Sequence, residues 1–220
     1  MPTGDLSLYP GIDGYVLRNA ESTWADAHDA TIGEVASSST TAQAYALRAS
    51  YKAAGRGAGF FTGRCFFSFD TSGIFNVPTK AIFTVRGYVT HAANYIYCVK
   101  ATSDIESAIT TADFDSIEGW DHDANNTGNV VQYADNLTAW ILGSNSFTLN
   151  SQALADMAGL DRLNICLITH IDIQDIGDST PPPSPSHYSG LYFVNHSSVS
   201  LRPVIRLTQQ DDAVFFGANF

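Results

Sequence analysis

The sequence predicts an all-β fold, two antiparallel sheets packed face to face, and three observations carry that prediction. Short apolar runs with period-two alternation recur along the 220 residues, separated by Gly, Pro, Asn and Ser clusters that interrupt regular structure. The most apolar of these runs, Arg64 to Ser72, puts Cys65, Phe67 and Phe69 on one face and Arg64, Phe66, Ser68 and Asp70 on the other, so both faces of this central strand should be covered. Helix signals occur in only two places, and both are short. Together these predict about ten strands and two short helices. We expect one sandwich domain over residues 1–208 and an apolar tail over 209–220.

Taken in order, Tyr9 to Arg18 is a turn-rich lead into a short strand at Tyr15-Val16-Leu17. Residues 25–41 are small and polar and read as a loop. Alternation returns from Gln43 to Tyr51, where Tyr45, Leu47, Ala49 and Tyr51 share a face. Gly55-Arg-Gly-Ala-Gly59 then forms a hairpin connection into the central strand. Two further strands, Ala81 to Thr90 and Asn94 to Lys100, should pair with each other across His91. Ser103-Asp-Ile-Glu106 matches a capping box and predicts a helical turn from Asp104 to Ala112. Residues 113–143 should be long loops holding one or two short strands. Asn150 or Ser151 caps a two-turn helix over Gln152 to Ala158, with Gly159 just beyond. Arg162 to Thr169 is a second strand that is apolar on both faces. The Pro-rich stretch Ser179 to Ser186 is an exposed connector, because proline cannot pair inside a sheet. Strands at Ser189 to Val194 and Leu201 to Thr208 close the domain.

Composition narrows the function. A formal charge of −11 with scattered Lys and Arg argues against nucleic acid and against anionic membranes as partners. Cys65, Cys98 and Cys166 lie in apolar strand-like settings, so we expect small buried thiols rather than a disulfide framework. The start, Met-Pro-Thr-Gly-Asp-Leu, lacks the basic and apolar regions of a signal peptide, which predicts a protein made in the cytoplasm without export.

No nucleophile motif of the Gly-x-Ser-x-Gly type is present, and Gly55-x-Gly57 opens a run of Phe and Cys rather than a phosphate-binding helix. We therefore expect no enzyme, no catalytic residue and no cofactor. Asp121-His122-Asp123 and His170-x-Asp172, with Asp175 and Asp178, offer metal ligands without a recognised spacing, so no metal site is assigned and a structural Ca²⁺ is the alternative. Trp24, Trp120 and Trp140 lie in or beside loops, where an indole could stack on a sugar face. In the tail, Val214, Phe215, Phe216 and Phe220 follow the end of the domain and must be covered, either by its own sheet or by a partner subunit.

The order of motifs then carries a resemblance. Asp13-Gly-Tyr-Val16, Arg64-x-Phe66-x-x-Phe69-Asp70-Thr-Ser72, Ala81-x-Phe83, Gly190-Leu-Tyr-Phe193 and Arg202-Pro-Val-Ile205 resemble the disaggregatase-related (DNRLRE-type) jelly-roll modules. Those modules are similar to carbohydrate-binding modules and recur in bacterial surface proteins and in tailed-phage virions, the phage versions being the nearer likeness. The resemblance spans residues 10–207 and implies a jelly roll whose matched residues are structural. It implies a non-enzymatic component on the virion surface, foremost a decoration or cement protein bound to the major capsid protein or other virion subunits. The alternative it implies is a glycan- or receptor-binding module of a tail or head fibre, meeting cell-surface glycans. A homo-oligomer is compatible with either.

Overall fold

A computed structural model describes residues 5–91, 94–102, 105, 107–179, 183–184 and 187–209. Its first six strands are β1 (Asp5–Leu8), β2 (Ile12–Glu21), β3 (Val35–Ser37), β4 (Ala42–Lys52), β5 (Gly59–Asp70) and β6 (Lys80–His91). Five more follow: β7 (Ile96–Lys100), β8 (Gly143–Thr148), β9 (Arg162–Thr169), β10 (Tyr188–Tyr192) and β11 (Val204–Thr208). Three short helices, α1 (Trp24–His28), α2 (Ser151–Gly159) and α3 (His170–Ile173), sit between strands. Among the described residues every strand pairing is antiparallel.

The sandwich is built on two long strands that each serve two partners along one edge. In β5, Gly59 to Gly63 pair with β4 and Cys65 to Asp70 pair with β9, while β2 runs along the opposite edge. In β6, Lys80 to Thr84 pair with β11 and Gly87 to His91 with β10, while β8 takes the other edge. β4 and β10 join the two systems. Between them lies the main core, where Phe67 and Phe69 of β5 pack edge-on against Phe83 of β6 at ring separations of 5.1 and 5.6 Å. Phe147 and Phe193 extend the same stack.

The second face of β5 is covered as well, as its alternation predicts. Val16, Phe66, Cys166 and Ile168 form a smaller core beneath Ile105, Phe114, Ile117 and Val130 of the long connection after β7. A third cluster gathers Trp24, Ala27, Ala49 and Ile171. All three cysteines are free and buried. The β4–β5 hairpin also forms, and at its end Gly59 adopts φ +141° with the backbone of Ala20 and Glu21 within 2.8 Å of where a Cβ would stand. Only glycine fits there.

Several local expectations are corrected. β6 and β7 do not pair: both edges of β6 are taken by β8, β10 and β11, so β7 crosses to the other sheet and pairs with β9. Residues 103, 104 and 106 of the predicted capping box lie outside the described residues. The described helical turn is instead a 3-10 turn at Thr111–Asp115, where the Asp113 carboxylate accepts from the Thr110 N–H and hydroxyl. The stretch 25–41 holds most of α1 and all of β3, and α3 follows β9 directly. α2 is capped as expected, the Asn150 side chain accepting from the Ala153 N–H at 3.1 Å. No helix among the described residues is long and apolar enough to cross a membrane.

Candidate ligand-binding face

β11, β6 and β8 lie side by side, and their alternation leaves one set of side chains facing away from the core. Phe83 and Val85 of β6 point inward, so Ile82, Thr84 and Arg86 face outward. The register completes three rows across the sheet: Arg206–Ile82–Thr148, Val204–Thr84–Ser146, and Arg86 beside Ser144. Thr84 and Ser146 share a hydrogen bond of 2.9 Å. The 3-10 turn Val199–Leu201 folds over one end, because Arg86 Nε donates to the Ser200 carbonyl at 3.2 Å and Arg202 Nε donates to the His196 carbonyl at 2.8 Å. The result is a groove of about 350 Å³ lined by three arginines, three serine hydroxyls, Thr84 and Tyr9.

The charge distribution sets this groove apart. Of the eleven Lys and Arg residues, Arg18, Arg64 and Lys100 are spent in ion pairs with Glu21, Asp172, and Glu118 with Asp156. Arg86, Arg202 and Arg206 have no ion pair among the described residues, and no carboxylate lines their groove. A second hollow, of about 500 Å³, repeats the pattern with Arg48, Lys52 and Arg56 beside Tyr45, Phe61 and Tyr188. Arg48 stacks 3.7 Å from the centre of the Phe61 ring, and burial lowers its pKa to about 10, which leaves it cationic at neutral pH.

Aromatic rings lie between the two hollows. Tyr188 of β10 meets Tyr45 at 4.5 Å and His91 at 4.6 Å; four residues on, Tyr192 meets Tyr88 at 5.2 Å and His196 at 4.9 Å. A larger hollow of about 690 Å³ lies beside Lys100, Asp161 and Asn164, but its lysine is neutralised by Glu118 and Asp156 at 3.0 and 3.2 Å. Of the eight basic residues without an ion pair among the described residues, six line the two hollows on the β4–β10–β6–β11 side; the others are Lys80 and Arg162, and Arg162 shares the larger hollow with Asp161.

No family model and no curated protein matches this chain.

The loop that carries His196, Ser200 and Arg202 is fastened at its base by Asp13 of β2. Asp13 is buried, and one of its carboxylate oxygens accepts from the Val194 N–H at 2.8 Å while the other has no partner. Burial raises its pKa to about 7.

The three tryptophans fall in different places. Trp24 is buried against Phe60 and His28 and donates through Nε1 to Asp175 Oδ1 at 2.6 Å. Trp140 is buried in the main core. Neither presents an open ring face, because each has become a packing residue. Trp120 is half-buried: one interaction of its ring is with the Arg64 guanidinium at 4.0 Å, and it borders a shallow hollow with Asp121, His122 and Asp123. Val214, Phe215, Phe216 and Phe220 lie outside the described residues. Burial pushes the thiol pKa values of Cys65, Cys98 and Cys166 upward, which makes them poor nucleophiles.

Of the possible metal ligands, Asp172 is committed to Arg64, His122 stands 3.5 Å from Asp115, and Asp175 meets His28 and Asp29. Sequence reasoning missed the arginine face. The signal present was alternation of a different kind: Thr84-x-Arg86-x-Tyr88 and Ser144-x-Ser146-x-Thr148 put polar groups on every second position of two strands. Only the pairing of β6 with β11, and of β8 with β6, brings Arg206 onto the same face as these groups.

Proposed function

We propose that the protein is a non-catalytic binding module of a phage particle that lays an acidic glycan across the outer face of β11, β6 and β8. One observation carries this reading: in a chain of charge −11, six of eleven basic residues gather in two carboxylate-free hollows with tyrosine rings between them. Guanidinium groups offer paired N–H donors that match a carboxylate or sulfate, Ser and Thr hydroxyls match sugar hydroxyls, and tyrosine faces stack on pyranose rings. The phage setting comes from the motif resemblance. Affinity electrophoresis through gels containing a polyuronate, a sulfated glycan or neutral dextran tests the reading. Retardation by an acidic polymer supports it, and free migration through all three gels counts against it.

A second reading, a decoration protein docked on shell subunits, is favoured by Phe75 and Val77 between β5 and β6, which are 83% and 54% exposed. The copy number of the chain in purified particles separates the two. Hundreds of copies favour decoration of the shell, and a few to a few dozen favour a fibre module.

A further inference from the structure

Away from the arginine face, α1 and α3 end side by side, and each delivers an acidic residue just past its last turn. His28 closes α1 and is followed by Asp29; α3 is followed by Gln174 and then Asp175, whose φ is +53°. Both helix ends are tied to other elements: Thr62 donates to the Ala27 carbonyl at 2.9 Å, Arg64 Nη2 to the His28 carbonyl at 3.2 Å, and Trp24 Nε1 to Asp175. His28 is completely buried, walled by the Trp24 and Trp120 rings at 5.5 and 5.0 Å. Its Nδ1 lies 2.5 Å from Asp29 Oδ1 and 3.6 Å from Asp175 Oδ1, and the three ligand atoms fall within 4.8 Å of one another. The two carboxylates are about a quarter exposed, so water can reach the cluster from their side.

The other ring nitrogen supplies an independent observation. His28 Nε2 is buried and has no hydrogen-bond partner, and it stands 3.9 Å from Asp172 Oδ1, a carboxylate that Arg64 holds in place. A neutral ring donating from Nδ1 to Asp29 would turn its Nε2 lone pair toward that carboxylate. A cation on Nδ1 requires the other neutral tautomer: the single ring proton moves from Nδ1 to Nε2, where it faces Asp172. That is the carboxylate–histidine–metal relay by which metal-bound imidazoles are oriented.

We propose that His28 Nδ1 and the carboxylates of Asp29 and Asp175 form a binding site for a divalent transition metal of the zinc class. One imidazole and two carboxylates make a mixed N/O set that suits Zn²⁺ or Mn²⁺, whereas Ca²⁺ takes oxygen ligands only. Ligand atoms around a tetrahedral zinc stand about 3.4 Å apart. The His28–Asp175 separation of 3.6 Å is already close to that value, and the His28–Asp29 contact opens to admit the ion. Water completes the coordination from the exposed side.

Titration calorimetry of the full chain with Zn²⁺ tests the site, with Ca²⁺ as comparison. One saturable Zn²⁺ site is expected, with a rise in melting temperature that Ca²⁺ does not reproduce. Asp29→Asn and Asp175→Asn keep the size and hydrogen-bonding oxygen of each side chain and should weaken Zn²⁺ at least tenfold. The loop substitutions His122→Ala and His196→Ala should leave it unchanged. Co²⁺ should quench the Trp24 and Trp120 emission in the parent and not in Asp29→Asn, a readout that does not depend on stability. Absence of a saturable site, or a site that survives both Asn variants, overturns the proposal and leaves an ion-paired histidine only.

Discussion

Arg64 of β5 grips Asp172 of α3 through two parallel hydrogen bonds, Nε to Oδ2 at 2.8 Å and Nη2 to Oδ1 at 2.9 Å, and neither side chain reaches solvent. The guanidinium is held between the Phe114 and Trp120 rings, each 4.0 Å away, and its Nη1 donates to the Phe114 carbonyl at 2.8 Å. This one side chain joins β5, α1, α3 and the connection after β7 beneath the outer layer of the sandwich. Removing one partner strands a buried charge. Arg64→Met or Asp172→Asn should cost about 3–5 kcal/mol in urea denaturation. The double replacement Arg64→Met/Asp172→Leu should recover much of that loss, since no charge is left unpaired.

Asp13 gives the protein a pH dependence opposite to that of a salt-bridged carboxylate. Its pKa is about 7 in the folded state against an ordinary value of 3.8, so between those values the folded chain holds more protons than the unfolded one. The stabilisation is therefore fully present below pH 3.8 and lost as pH rises through about 7, by up to about 4 kcal/mol. Asp13→Asn keeps an oxygen for the Val194 N–H and cannot ionise. The parent should lose more stability than this variant between pH 5 and pH 8, and parallel stability curves would contradict the assignment.

Gly177 leaves no room for a side chain: an added Cβ would stand 2.1 Å from the Trp24 ring. Gly177→Ala should displace the indole, shift its emission, and cost about 1–3 kcal/mol by overpacking. An unchanged spectrum would mean that the loop yields instead of the ring.

Trp24 and Trp140 are core residues, so their role in glycan retention should be nil. Trp24→Phe and Trp140→Phe are expected to lower stability and leave retention on an acidic polymer unchanged at a temperature where both variants are folded. Trp140 packs against Gly87 and Thr90 of β6, so it is loss of retention in Trp24→Phe that would move the ligand away from β6.

What could be read from the chain follows the range of the interactions. β5 and β9 were legible because apolar residues on both faces of a short run have few other solutions, and α2 because its cap lies within three residues of the group it satisfies. α1 has only five residues, too few for a helical period to emerge from a small, polar stretch. The pairing of β7 with β9 was hidden because nearness in sequence favoured β6, whose edges are filled by strands from the far half of the chain. Alternation puts Arg64 on the correct face, yet its partner Asp172 lies 108 positions away and nothing singles it out among the other acids. The arginine face was invisible for the same reason. Arg202-Pro203 looked purely structural as a motif, whereas its arginine lines the groove.

The role proposed for the groove on β11, β6 and β8 is to read negative charge on a glycan. The most direct measurement is calorimetric titration of a polyuronate and of the same polymer after reduction of its carboxyl groups, with the parent and with Arg86→Gln/Arg206→Gln. The parent is expected to bind the acidic polymer, to bind more weakly with added salt, and to lose at least tenfold in affinity both on carboxyl reduction and in the double variant. Equal binding of the two polymers, or binding untouched by the double variant, would contradict it.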